Sequence, residues 1–104
     1  RKMKGIICDK LYDTATARKI ASWNMDIPGK KHLYEILYRK ENGEFFLHST
    51  RGVVPECTTI FIENVAFDGD EQILLFNGEN EVKEWLMQHA DANTYIELFG
   101  DVEE

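Results

Sequence analysis

The sequence predicts an α+β domain: an antiparallel twisted sheet of about five strands with a central aromatic hairpin, packed by one C-terminal helix and a second short helix. Three observations predict it. Residues 33–40 and 44–50 are rich in aromatic and aliphatic side chains and flank Asn42-Gly43, the composition of strand, tight turn and strand. Val82, Trp85, Leu86 and His89 recur at helical spacing, followed by Tyr95, Ile96 and Phe99. Finally, 104 residues form one domain, 1–104, large enough to bury about two thirds of its unfolded surface without metal or disulfide staples.

In chain order, residues 2–8 read as a short strand, and Leu11-Tyr12-Asp13 continues or re-enters the sheet after a turn at Asp9-Lys10. Asp13 can cap a turn of helix over the alanine-rich segment that follows, which alternates well enough to be strand instead. The reading adopted is a short helical turn and then a strand through residues 20–23. Residues 24–31 form a loop broken by Pro28-Gly29.

Two registers are open to the hairpin. A two-residue loop sets Glu41 opposite Glu44, a like-charge pair; a three-residue loop, with Gly43 left-handed in a bulge, sets Lys40 opposite Glu44 and Tyr38 opposite Phe46. The second is preferred. One face then carries Tyr34, Ile36, Tyr38, Phe46 and His48, and the other Leu33, Leu37, Phe45 and Leu47, interrupted by Glu35 and Arg39. Neither face is polar, so either the chain covers both or a partner finishes one; a target protein or a homodimer mate is the expectation.

Beyond Gly52, residues 53–55 are a connection and residues 58–62, TTIFI, a buried strand. Residues 67–70 make a turn into a strand over 71–76. Residues 77–80 cap a helix reaching about Ala90, Asp91 caps the second helix, Gly100 ends it, and residues 101–104 are an acidic tail.

The net charge of -7 divides unevenly: residues 1–51 hold eleven Lys/Arg against six Asp/Glu, and residues 52–104 one Lys against thirteen Asp/Glu, so +5 and -12. Such asymmetry raises interaction hypotheses before catalytic ones, although interleaved halves would merge into ordinary surface pairs. No apolar run reaches the roughly 20 residues of a membrane span. Two cysteines, Cys8 and Cys57, suggest neither a zinc site nor a disulfide framework, and no secretory signal pattern opens the chain, so a reducing cytoplasmic setting is expected.

Catalytic patterns are absent. His32, His48 and His89 lack ligand spacing, Ser22 and Ser49 lack a glycine-flanked elbow, and Cys8 reads as a small buried hydrophobe. The carboxylates of Asp68-Gly69-Asp70-Glu71 do not follow a calcium-loop spacing and read as a turn. No catalytic, cofactor or metal residue is therefore assigned. Two surfaces are. Glu79, Glu81, Glu84, Asp91, Glu97 and Asp101 would form a carboxylate field on the outside of the helices, suited to the basic groove of another protein. Alternatively Lys30, Lys31, Arg39, Lys40 and Arg51 share their half with aromatic residues, the raw material of a nucleic-acid-binding sheet.

The blocks LYDTATARKIASW, LYRKENGEFFLHSTRG and EVKEWLMQHADANTYIELFG resemble small proteins encoded on phages and integrative elements of Firmicutes. The resemblance implies a genetic setting and no site. Small acidic proteins of that setting resemble inhibitors of host defence, anti-CRISPR proteins among them, that act by stoichiometric binding. The expectation is a non-enzymatic interaction module that inhibits a host nucleic-acid-binding protein, such as a CRISPR effector; the alternative is a small nucleic-acid-binding or regulatory domain using the basic half.

Overall fold

The computed structural model describes residues 2–26, 28–29, 32–50, 65–68 and 70–104. The expected strand at 58–62, together with Cys57, Lys30, Lys31 and Arg51, lies outside the described residues. Among the described residues, seven strands and two helices follow in the order β1 (Lys4–Ile7), β2 (Lys10–Asp13), β3 (Arg18–Met25), β4 (Leu33–Arg39), β5 (Phe45–Thr50), β6 (Val65–Asp68), β7 (Glu71–Leu75), α1 (Glu79–His89) and α2 (Ala92–Phe99). The fold is α+β, as expected: a five-stranded antiparallel sheet in the order β3-β4-β5-β7-β6, with β1 and β2 paired as a separate ribbon.

The aromatic hairpin lies at the centre of the sheet in the expected register. Tyr38 faces Phe46 and Arg39 faces Phe45, while Lys40 N–H donates to the Glu44 carbonyl at 2.8 Å. Gly43 N–H closes the turn on the Lys40 carbonyl at 2.9 Å, and its φ of 94° is the left-handed geometry that avoids a like-charge pair of Glu41 and Glu44. The Asn42 side chain accepts from Glu44 N–H at 3.0 Å and locks the bend.

Both faces of this sheet are covered by the chain itself, which corrects the expectation that a partner finishes one. On one face Leu37, Leu47 and Leu74 pack under Val82, Trp85 and Leu86 of α1, with Tyr95, Leu98 and Phe99 of α2 alongside. On the other, Phe46 and Ile73 pack under Met3, Ile7 and Tyr12 of the ribbon. The ribbon escaped the sequence reading because its strands were assigned to the main sheet. It folds over instead, since Cys8 and Asp9 turn tightly at φ 51° and 62° and β1 runs close against β6. The approach is tight enough that a Cβ on Gly5 would lie 2.7 Å from the Ala66 Cβ.

Four local expectations change. Cys8 is exposed at the ribbon turn rather than buried. Residues 65–68, of which 67 and 68 were assigned to a turn, form β6 on β7. Ile96, expected on the buried stripe of α2, is 37 % exposed, and Leu98 packs inward in its place. Asp13 caps a turn but no helix: it accepts from Ala15 N–H at 2.9 Å, and β3 starts directly afterwards at Arg18. The helix ends conform. Asn77 N–H donates to Glu81 Oε1 at 2.6 Å ahead of α1, Asp91 accepts from Thr94 N–H at 2.8 Å at the start of α2, and Gly100 stops α2 at φ 87°.

Candidate functional site

Among the described residues, chemistry-bearing side chains occur in four places: a buried glutamate on each of the two faces of the sheet, a cluster of cations at the hairpin tip, and the acidic outer side of the helices.

On the helix-covered face, the strand register that points Leu37 at α1 also points Glu35 there, and Glu35 is 0 % exposed. Its Oε1 accepts from Trp23 Nε1 at 2.7 Å and from Trp85 Nε1 at 3.2 Å, whereas Oε2 has no partner among the described residues. Burial pushes the Glu35 carboxyl above its ordinary pKa, and the two indole bonds offset only part of that rise. The His89 ring stacks on Trp23, with centroids 4.5 Å apart, and tilts against Trp85.

On the ribbon-covered face, His48 Nε2 lies 2.7 Å from Glu71 Oε1, and the Tyr34 hydroxyl donates to the same oxygen. A histidine, a carboxylate and a phenol in line could relay a proton, but transfer to a substrate needs an accessible nitrogen. His48 is 1 % exposed and Glu71 8 %. Among the described residues, no three His, Cys, Asp or Glu side chains are grouped to hold a metal ion.

The hairpin tip gathers Lys10, Arg18, Arg39 and Lys40 around adjoining clefts that also carry Asp13 and Glu41. Arg39 and Lys40 come from the expected basic set; Lys10 and Arg18 are added by the ribbon turn and the start of β3. Both expected residues are engaged internally. Arg39 Nε donates to the Gly43 carbonyl at 3.2 Å and its guanidinium lies 4.7 Å from the Phe45 ring centroid. Lys40 Nζ lies 3.4 Å from Glu44 Oε1 and 4.2 Å from the Tyr12 ring centroid. Tyr12 hydrogen-bonds Glu44 in turn, and its phenol is held above its ordinary pKa, by burial first and then by that carboxylate.

The acidic set is arranged differently. The apolar stripes of α1 and α2 face the sheet, which leaves Glu79, Glu84, Glu97 and Asp101 exposed. Glu79 pairs with Lys83 at 3.4 Å one turn along. Glu97 shares a small cleft with Arg18 and Lys19, so at this edge the two charge classes do interleave. Glu84 and Asp101 have no ion-pair partner among the described residues. Glu81 and Asp91 serve the helix starts instead; Thr94, donating to Asp91 through its amide and its hydroxyl, holds the Asp91 carboxyl below its ordinary value. Residues 84–104 contain six carboxylates and no Lys or Arg.

Sequence reasoning missed Glu35 and Glu71 as buried groups, although strand parity places both on faces otherwise apolar. Among the described residues, no helix is long and apolar enough to cross a membrane. No known family, curated protein or solved structure matches the chain.

Proposed function

We propose that this chain is a non-enzymatic interaction module that docks onto a host protein through the acidic outer side of α1, α2 and the tail. The observation that carries this reading is the layer itself: Glu79, Glu84 and Glu97 are exposed on helices whose apolar stripes are committed to the sheet, and Asp101 is exposed just beyond α2. A carboxylate field of this kind attracts a basic groove and competes with phosphates for it. The target chemistry that follows is a nucleic-acid-binding protein. The resemblance to phage and integrative-element proteins supports a mobile-element origin and a target in host defence, of the CRISPR type, blocked by stoichiometric binding in the host cytoplasm.

The test is affinity capture from nuclease-treated lysate of a Firmicutes host, comparing the parent chain with a variant carrying Lys at positions 79, 84, 97 and 101. The expected result is one basic, nucleic-acid-binding protein at stoichiometric level, released by that substitution set and by added salt. Recovery of no such protein, or equal recovery by the charge-reversed variant, removes the reading.

A second reading has one observation in its favour, the convergence of Lys10, Arg18, Arg39 and Lys40 at the hairpin tip. Direct binding of single-stranded RNA or DNA there would weaken steeply with salt. Affinity that is absent or insensitive to salt disposes of it.

A further inference from the structure

The groove between the two helices is apolar and open. Met87 follows the buried pair Trp85 and Leu86 but points away from the sheet and is 62 % exposed; Ile96 and Val102 are 37 % and 58 % exposed. These three line a single cleft of 390 Å³ with Leu86, Ala90 and Tyr95, and among the described residues Asp91 is the charged one in its lining. The volume falls in the range of sites that accept bulky side chains or ligands, and clustered exposed apolar residues mark docking surfaces more often than scattered ones do.

We infer that this cleft receives an amphipathic helix of the target protein, one that inserts Leu-type side chains between α1 and α2 and flanks them with Lys or Arg. The inference rests on the interaction-module reading and names the partner element. Three arguments select it. The cleft lies between helices and presents no open strand edge, so it offers side-chain grooves for a third helix rather than backbone pairing. Its described lining carries Asp91 and no Lys or Arg, and Asp101 adjoins Val102, so a basic flank is the complementary one. A second copy of this chain is disfavoured, because an isologous contact would set those same carboxylates face to face.

The experiment uses the whole chain with labelled methyl groups and a synthetic probe: a peptide with Leu at i, i+3, i+4 and i+7 and Lys elsewhere. Two controls accompany it, a scrambled peptide of the same composition and one with every Lys replaced by Glu. NMR titration should shift the methyls of Met87, Ile96 and Val102 first, and the affinity should fall by roughly tenfold in Met87→Glu and in Ile96→Ser, the scale of losing one anchor. Both positions are exposed, and unchanged circular dichroism confirms that the variants fold. Equal binding of the scrambled or acidic peptide overturns the inference, as do shifts centred on the hairpin tip. So does a concentration-dependent dimer of the free chain that Met87→Glu abolishes, which would assign the cleft to a second copy. If charge reversal releases the captured host protein but Met87→Glu retains it, the groove fails while the acidic reading stands. If charge reversal has no effect, the reading itself fails, whatever the peptide does.

Discussion

The two faces of the central sheet each bury a glutamate, and they hold it by different means. Glu71, under the ribbon, shares one oxygen between the His48 ring and the Tyr34 hydroxyl. Glu35, under α1, receives two indole N–H groups on Oε1 and leaves Oε2 without a partner among the described residues. A buried carboxylate without full satisfaction destabilises the fold. The helix-covered face tolerates one because it also holds the larger apolar cluster, with Trp85 at 0 % exposure. The covers differ too: the ribbon leaves the paired Ile6 and Leu11 exposed on its outer side, whereas the helices present carboxylates and an apolar groove outward. The helical layer thus both covers the sheet and carries the surface proposed for docking.

Variants can break that comparison. Trp85→Ala should be the most damaging, since it removes the central ring of the helix-side core and an indole donor to Glu35; a loss of about 3–5 kcal/mol is expected in denaturant unfolding. A loss below that of any ribbon variant would reverse the ranking of the two faces.

Gly5→Ala probes the ribbon. The added methyl meets Ala66 Cβ at 2.7 Å, so the ribbon must shift, at about 1–3 kcal/mol. Protection of ribbon amides from hydrogen exchange should fall while that of α1 is retained. Tyr12→Phe keeps the ring on Phe46, 5.4 Å between centroids, and removes only the bond to Glu44; about 1 kcal/mol is expected.

The last two variants are read against pH. Burial raises the Glu35 carboxyl in the folded state, so the folded chain keeps that proton after the unfolded chain has released it. Stability is therefore favoured below the ordinary carboxylate range and falls as pH rises from there through the folded pKa. Thermal melts of Glu35→Gln should lack this fall, and an identical pH slope in the parent chain would show that the carboxyl is not strained. Asp91 has the opposite sign. Its depressed pKa means that its cap on α2 contributes above the ordinary carboxylate range and is lost as pH drops through the folded value. Asp91→Ala should give the smallest change of the series, confined to α2 in hydrogen exchange and vanishing in acid.

Much of this architecture was legible in the residues. Asn42-Gly43 with the alternative of Glu41 facing Glu44 decided the hairpin register, and Val82, Trp85 and Leu86 decided which side of α1 is buried. What was not legible depends on tertiary placement. Residues 4–7 and 10–13 pair with each other in either arrangement, so local pattern could not tell a strand pair inside the main sheet from a ribbon folded across it. The carboxylates of Glu35 and Glu71 sit on apolar faces by parity, yet only the arrival of Trp85 and His48 reveals what surrounds them. For the candidate surface, the acidic residues were found from charge alone. The groove was not, because Ile96 looked like part of the buried stripe.

The most direct test of the account is carboxyl footprinting of the chain, free and bound to the captured host protein, with labelling read by mass spectrometry. Protection at Glu79, Glu84, Glu97 and Asp101, with Glu41 at the hairpin tip labelled equally in both states, is the predicted result. Protection confined to Glu41 and the ribbon, with the helical carboxylates unchanged, would contradict it.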